Sequence, residues 1–440
     1  MKVDDGSLSA WAEALQAPKP KKSGTLVRSV GMTLEAHGIM APLGAACEVV
    51  GDGGARVEAE VVGFSDKSLY LMPLSEAAGI GLGARVRVIR LQDEVDLGPG
   101  LLGRVVDGRG VPLDGLPTPL TPDRMGIQGS PVNPLERGPI TKVLDVGVKA
   151  INGALTMGRG QRMGLIAGSG VGKSVLLGML TKFTEADVVV IGLIGERGRE
   201  VQEFIADTLG AEGLAKSVVV AAPANVSPVL RLKAAMRTHV IAEYFRDQGK
   251  NVLMLVDSLT RVAHAQREIG LAVGEPPTAK GYPPSVFALI PSLIERAGVG
   301  RKGYGSITAV YTVLAEGDDR NDPIVDLARA SLDGQIMLSR DLADAAHYPA
   351  IDLNGSVSRV MQNILPDDDV RLANRMRRLW SVYQQNQDLI QVGAYEAGTN
   401  PDLDMAIGLR DPMREFLRQN MDMGVSYPHT MQLMRQLMGA

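Results

Sequence analysis

RMGLIAGSGVGKS, residues 162–174, changes character at its midpoint. Arg162 to Ala167 is largely apolar and reads as a buried strand. Gly168, Ser169, Gly170, Val171 and Gly172 make a loop, and Lys173 and Ser174 open a helix. Strand, glycine-rich loop and helix in that order are the context a phosphate loop requires. The glycines let backbone N–H groups curl around phosphate oxygens, and the helix N-terminus adds partial positive charge. Lys173 is placed to reach β- and γ-phosphates, and the Ser174 hydroxyl to ligate Mg²⁺. The strict pattern begins with Gly where this chain has Ala167, a mild change that adds little bulk.

Further short apolar, β-branched runs follow: Val188 to Ile194, Val218 to Ala222, Val252 to Val256 and Ile307 to Leu314. Helical stretches separate several of them. Ser227-Pro228 opens one, with Val229, Leu232, Met236, Val240 and Tyr244 predicted on its inner face and Gly249 at its end. Apolar strands alternating with helices predict a parallel sheet covered on both faces. Upstream, from about Thr25 to Leu91, the period is two. Val57, Ala59 and Val61 alternate with charged residues, as do Val86 and Val88, which predicts a small antiparallel barrel or sandwich. Beyond Pro366 the strands stop. Asp367, Asp368 and Asp369 mark a helix N-terminus, with Val370, Ala373, Met376, Trp380 and Tyr383 at helical spacing. Pro412 is expected to start another helix. The organisation expected is an arm and linker over 1–22, a β-barrel over 23–95, a P-loop α/β core over 96–366 and a helical domain over 367–440.

Two further stretches carry chemistry. Val252 to Val256 ends in Asp257, and a buried strand closing on an aspartate places a carboxylate beside a nucleotide-bound magnesium. After Ile194 comes Gly195-Glu196-Arg197-Gly198-Arg199-Glu200. Glu196 is the candidate for orienting and polarising an attacking water. Spacing alone leaves it open that this is a solvated charge cluster.

Composition removes several classes. The 440 residues exceed one ordinary core. A net charge of -4 gives no global reason to bind nucleic acid. The single cysteine, Cys47, allows no intrachain disulfide and fits a reducing cytoplasm. The five histidines are scattered without metal-ligand spacing, so satisfied core or surface histidines are expected. Asp4 and Asp5 precede no apolar stretch of secretory type, and no apolar run reaches membrane-spanning length. Ser7 to Gln16 has helical spacing, with Leu8, Trp11 and Leu15 on one face. Sequence alone leaves this arm open between a frayed terminus and a docking helix.

The chain resembles the catalytic subunits of rotary and secretion ATPases over nearly its full length. Gly195-Glu196-Arg197 is similar to that family's catalytic-glutamate loop. Asp257-Ser258-Leu259-Thr260-Arg261 is similar to its Walker B segment, and 349–359 to its C-terminal core signature. The resemblance implies a RecA-like core, ATP as substrate with Mg²⁺, and Glu196 as the catalytic carboxylate. It implies Arg359 as an arginine finger reaching a neighbouring subunit's nucleotide, and Tyr348 packed on the adenine. Arg197 and Arg261 would contact phosphates or position Glu196, and Tyr395 would close the adenine pocket. Within the family, 263–296 resembles flagellar and type III secretion ATPases and differs from proton-translocating subunits. Residues 158–180 and 192–205 look most like the flagellar form, with the injectisome form as the alternative.

That resemblance implies a homo-oligomeric, hexameric ring in the cytoplasm, peripheral to the inner membrane at an export apparatus. Its implied partners are a regulator subunit bound through the N-terminal arm, chaperone–cargo complexes and export-gate membrane proteins. A hexameric nucleic-acid translocase shares the core but needs a basic groove with stacking aromatics. Aromatic content is 4%, and Thr25 to Leu91 holds only Phe64 and Tyr70, so no nucleic acid is expected. Intact Lys173, Ser174, Glu196 and Asp257 argue against a non-catalytic ring subunit.

Overall fold

The alternation upstream of residue 91 closes a barrel. The structure, a computed structural model, describes residues 23–315 and 322–439. The expected arm helix from Ser7 to Gln16 lies outside the described residues. Strands β1 (Ser23–Val30), β2 (Thr33–His37), β3 (Ala46–Val50), β4 (Arg56–Phe64), β5 (Ser68–Pro73) and β6 (Arg85–Arg90) form a closed antiparallel barrel in the order β1-β2-β5-β4-β3-β6. Side chains alternate in and out along each strand. Val57, Ala59 and Val61 therefore point inward and are at most 5% exposed, and Val86 is fully buried. Ala59, Val61 and Val86 pack with Leu26, Leu69, Leu71 and Cys47.

The chain divides after Asp93 into two compact units. The break precedes the expected barrel boundary because β7 (Glu94–Leu97) pairs with β9 (Asp123–Gly126), both in the second unit. That unit is built on a sheet with β8 (Val105–Val106), β10 (Arg162–Ala167), β11 (Val188–Ile194), β12 (Ser217–Ala222), β13 (Asn251–Asp257), β14 (Gly298–Val299), β15 (Ser306–Leu314), β16 (Gly334–Leu338) and β17 (Ile351–Ser358). Among the described residues the order is β17-β16-β10-β15-β13-β11-β12-β8. From β16 to β8 every neighbouring pair is parallel; β17 is antiparallel to β16, and β14 pairs antiparallel with β15. Helices cover both faces. In β13, Leu253 and Leu255 enter one apolar cluster, while Val252, Met254 and Val256 enter the other.

The helix Pro228–Asp247 begins as expected, with the Ser227 hydroxyl capping Leu230 N. Its burial corrects the predicted stripe. Leu232 and Met236 are half-buried, whereas Arg231, Lys233, Arg237, Glu243 and Arg246 are buried. Neighbours enclose the helix nearly all round, and partners compensate several of the buried charges. Arg237 donates to the carbonyls of Gly108 at 3.1 Å and Arg109 at 2.8 Å. Glu243 accepts from Arg296 at 2.7 and 3.0 Å.

At the helical end, Asp367–Gln385 starts on the acidic triplet. Asp369 is buried and accepts from Arg435 at 2.5 Å and Tyr427 at 3.3 Å, so it also ties the last helix down. The expected helix start at Pro412 is corrected. The helix runs Pro401–Leu417, capped by the Asn400 side chain on the N–H groups of Asp402 and Leu403, and Pro412 lies inside it. Both prolines suit a first turn, and the cap selects Pro401. Trp380, Met413, Phe416, Met431 and Met434 join one cluster with Leu253 and Ala154, so helical end and sheet share a core.

Burial pushes the Cys47 thiol up to about 11. Thiolate is the reactive form, so labelling at pH 8 should be slowed on the order of a hundredfold or more relative to unfolded chain. Alkylation followed by mass spectrometry checks this. Labelling at the unfolded rate under native conditions would contradict a closed barrel core.

Candidate active site

Parallel strands end at one edge of a sheet, and here that edge collects the polar residues of the motifs. β10 ends at Ala167, β11 at Ile194 and β13 at Asp257, with Leu193 in register with Asp257 and Ala167 with Leu314. Beyond β10 the loop turns through Gly172 at φ 92°, a left-handed conformation that favours glycine, into the helix Lys173–Phe183. Beyond β11, Gly195 at φ 72° turns the chain into Glu196. A Cβ on Gly195 would stand 2.8 Å from Cβ of Arg261, so close approach requires glycine there as well.

The outcome is a cluster of three charges. Lys173 Nζ donates to Asp257 Oδ1 at 2.6 Å and lies 3.4 Å from Glu196 Oε1. The three side chains are 13%, 6% and 14% exposed. Partially desolvated charges need partners, and here each supplies the others. Thr312 Oγ1 donates to Asp257 Oδ1 at 2.6 Å and fixes the carboxylate. Burial pulls the Lys173 ammonium down, but Asp257 and Glu196 outweigh it and hold its pKa above the ordinary value. Burial, then the Asp257 charge, raises the Glu196 carboxyl to about 7, against the opposing pull of Lys173. A carboxyl poised near neutrality is suited to accepting a proton.

The other expected residues divide. Val171 is buried, whereas Ser169, Gly170 and Ser174 are exposed along the loop and first helical turn, and Gly168 is buried at its base. The Tyr348 ring lies on the loop, 3.4 Å from the point a Cβ on Gly172 would occupy, and the Tyr348 hydroxyl donates to the Ala343 carbonyl at 3.3 Å. Arg261 packs behind Gly195. Arg197 is 81% exposed, and its guanidinium lies 3.8 Å from Glu200. Tyr395 stays within the helical end, where its hydroxyl is 2.9 Å from Asp404 Oδ1.

Arg359 is not brought to this site. β17 starts at Ile351, in register with Leu338 at the same edge as the loop, and ends at Ser358, in register with Gly334 at the other edge. Arg359 follows there, its guanidinium donating to the carbonyls of Leu332 at 3.1 Å and Arg329 at 3.3 Å. Eight strand residues separate the edges by roughly 20 Å. Sequence reasoning missed two contacts. Thr312 is one of several hydroxyl-bearing residues in a buried strand, with Ser306 and Thr308, and so is a weak signal. Arg340, which donates to the Ser169 carbonyl at 3.2 Å, carries none.

Residues 147–358 match the model of the ATP synthase alpha/beta family, nucleotide-binding domain. Residues 365–436 match that of the T3SS EscN ATPase C-terminal domain. The chain is 56% identical to the flagellum-specific ATP synthase of Pseudomonas aeruginosa, over 94% of this chain and 93% of that one. It belongs to the flagellar and type III secretion ATPases. The flagellum-specific ATP synthase of Salmonella typhimurium is 54% identical over 94% of each chain. The type 3 secretion system ATPase of Xanthomonas euvesicatoria is 48% identical over 94% and 93%. The solved structure of assembled EscN from enteropathogenic E. coli superposes with a TM-score of 0.89 at 41% identity, covering 94% of this chain and 99% of that one. This membership makes the chain an ATPase, and its α/β core with an N-terminal barrel and helical end is the fold of the family. No helix among the described residues is long and apolar enough to cross a membrane.

The raised Glu196 carboxyl has a consequence for stability. Between 4.5 and about 7 the native protein holds its proton more tightly than the unfolded chain. Glu196 therefore costs stability progressively as pH rises through that window. Glu196→Gln removes this slope. For nucleotide-free protein, wild-type Tm minus variant Tm should fall from pH 5 to 7 and level off above. A pH-independent difference would contradict the assignment.

Proposed function

We propose that this chain is the ATP-hydrolysing subunit of a homo-oligomeric, hexameric ring that powers flagellar type III protein export. The observation that carries the reading is the buried Lys173–Asp257–Glu196 cluster beside a phosphate loop, in a chain with 56% identity to a flagellum-specific ATP synthase. Higher identity to the flagellar-named relatives, 56% and 54%, than to the Xanthomonas secretion ATPase, 48%, favours flagellar over injectisome export.

Backbone N–H groups from Gly168 to Gly172 would cradle the phosphates, and Lys173 would exchange its carboxylate partners for phosphate oxygens. Mg²⁺ fits the donors present, the Ser174 hydroxyl and the Asp257 carboxylate, both hard oxygen ligands; when bound it neutralises charge on the β- and γ-phosphates. Glu196 orients the attacking water and takes its proton. Tyr348 packs on the adenine, with Tyr395 closing that pocket from the helical end. Arg261 backs the Glu196 loop, and Arg197 would contact phosphate.

Arg359 lies at the wrong edge to serve its own chain, which supports a role as a finger on the neighbouring subunit's nucleotide. EscN is solved as an assembled ATPase and in complex with its central stalk EscO. By analogy, this chain forms a ring that takes a stalk partner. The arm over 1–22, with Leu8, Trp11 and Leu15 on one helical face, would hold a regulator subunit. Chaperone–cargo complexes and export-gate membrane proteins would complete the assembly at the cytoplasmic face of the inner membrane.

Glu196→Gln should retain ATP binding within a few-fold while turnover falls by about 10² or more. Arg359→Ala should also be inactive. Mixed, the two variants should regain turnover, because some interfaces pair an intact Glu196 with an intact Arg359. Phosphate release over a mixing series checks this; no recovery at any ratio would put the whole site in one chain. A strain whose only copy carries Glu196→Gln should lose swimming, and full motility would remove the export role.

A further inference from the structure

Gln419, just beyond the helix Pro401–Leu417, uses its whole amide. Oε1 accepts from the Lys149 N–H at 2.8 Å, and Nε2 donates to the carbonyls of Gly147 at 2.7 Å and Met423 at 2.6 Å. The amide orientation is fixed by these partners, since a flipped group would set donor against donor and acceptor against acceptor. Three side-chain bonds hold the Gln419 backbone in place, and its own N–H donates to the Tyr348 carbonyl at 3.0 Å. Next to it, Arg418 donates to the Ala346 carbonyl at 2.9 Å, on a residue held at φ 52°. The turn that presents the Tyr348 ring to Gly172 is thus held from outside the sheet, by the helical end.

We propose that Gln419 is a positioning residue for the nucleotide base: its amide locks the helical end to residues 147–149 and, through its backbone N–H, sets Tyr348 over the phosphate loop. The ligand part concerned is the purine, and the proposal rests on the reading that Tyr348 packs on it. The phosphates, held by Lys173 and the loop backbone, are outside its reach. Gln419 therefore discriminates base from phosphate, which a loss of global stability would not.

The test uses full-length Gln419→Met, which keeps the volume and removes both polar ends, beside Gln419→Ala, Tyr348→Ala and the Tyr348→Ala/Gln419→Met double variant. KM and kcat for ATP are measured together with inhibition by tripolyphosphate, which has the phosphates and no base. Gln419→Met should raise KM roughly five- to tenfold, the effect of one or two lost hydrogen bonds. Its kcat should stay within about twofold and tripolyphosphate inhibition should be unchanged. The double variant should be no worse than Tyr348→Ala. A raised KM in Tyr348→Ala with a wild-type KM in both Gln419 variants would overturn the positioning role. Parallel losses in kcat and tripolyphosphate inhibition would make Gln419 a structural tie only. An unchanged KM in Tyr348→Ala would remove the base assignment and the Gln419 role with it, while leaving hydrolysis at Glu196 untouched.

Discussion

Lys173 sits between Asp257 and Glu196, and the rest of the second unit can be understood as the frame that keeps it there. An ammonium and two carboxylates are held mostly out of water, an arrangement that is stable only while partners stay within reach. The three groups lie at or beyond the ends of three different strands, and parallel order is what delivers those ends to a single edge. The apolar clusters on both faces fix the strand register, and Thr312 fixes the Asp257 carboxylate. Burial, and then repulsion from Asp257, raises the Glu196 carboxyl. Lys173 holds them together.

The same sheet also bears on the proposed division of the site between neighbouring chains. β17 runs antiparallel to β16, and Tyr348 lies just before its start and Arg359 just past its end. Reversing one edge strand therefore assigns two residues of one signature to opposite rims. The first rim sets the Tyr348 ring against the phosphate loop, and the second is the one from which the proposed finger would reach another subunit. A ring of identical chains satisfies both at once, which fits a family whose solved member EscN is an assembled ATPase.

Much of this was legible in the sequence for physical reasons. The phosphate loop is contiguous, and its glycines and lysine announce backbone geometry directly. The barrel strands declared themselves through strict alternation, as at Val57, Ala59 and Val61. Legibility failed where a residue's environment is set by distant chain. The helix Pro228–Asp247 showed a plausible apolar stripe, yet Arg237 is buried because the carbonyls of Gly108 and Arg109 receive it. Pro412 looked like a helix start, but the Asn400 cap placed the start at Pro401. Gln419 bonds to Lys149 across 270 residues, and no local pattern marks such a contact.

Equilibrium titration of MgATP by calorimetry tests most directly whether the Lys173 cluster is the nucleotide site. Full-length wild-type protein should bind one nucleotide per chain. Lys173→Ala should lose most of that affinity while retaining the wild-type circular dichroism spectrum, because removing the ammonium leaves Asp257 and Glu196 to repel each other and the incoming phosphates. Undiminished MgATP affinity in a folded Lys173→Ala would contradict the account.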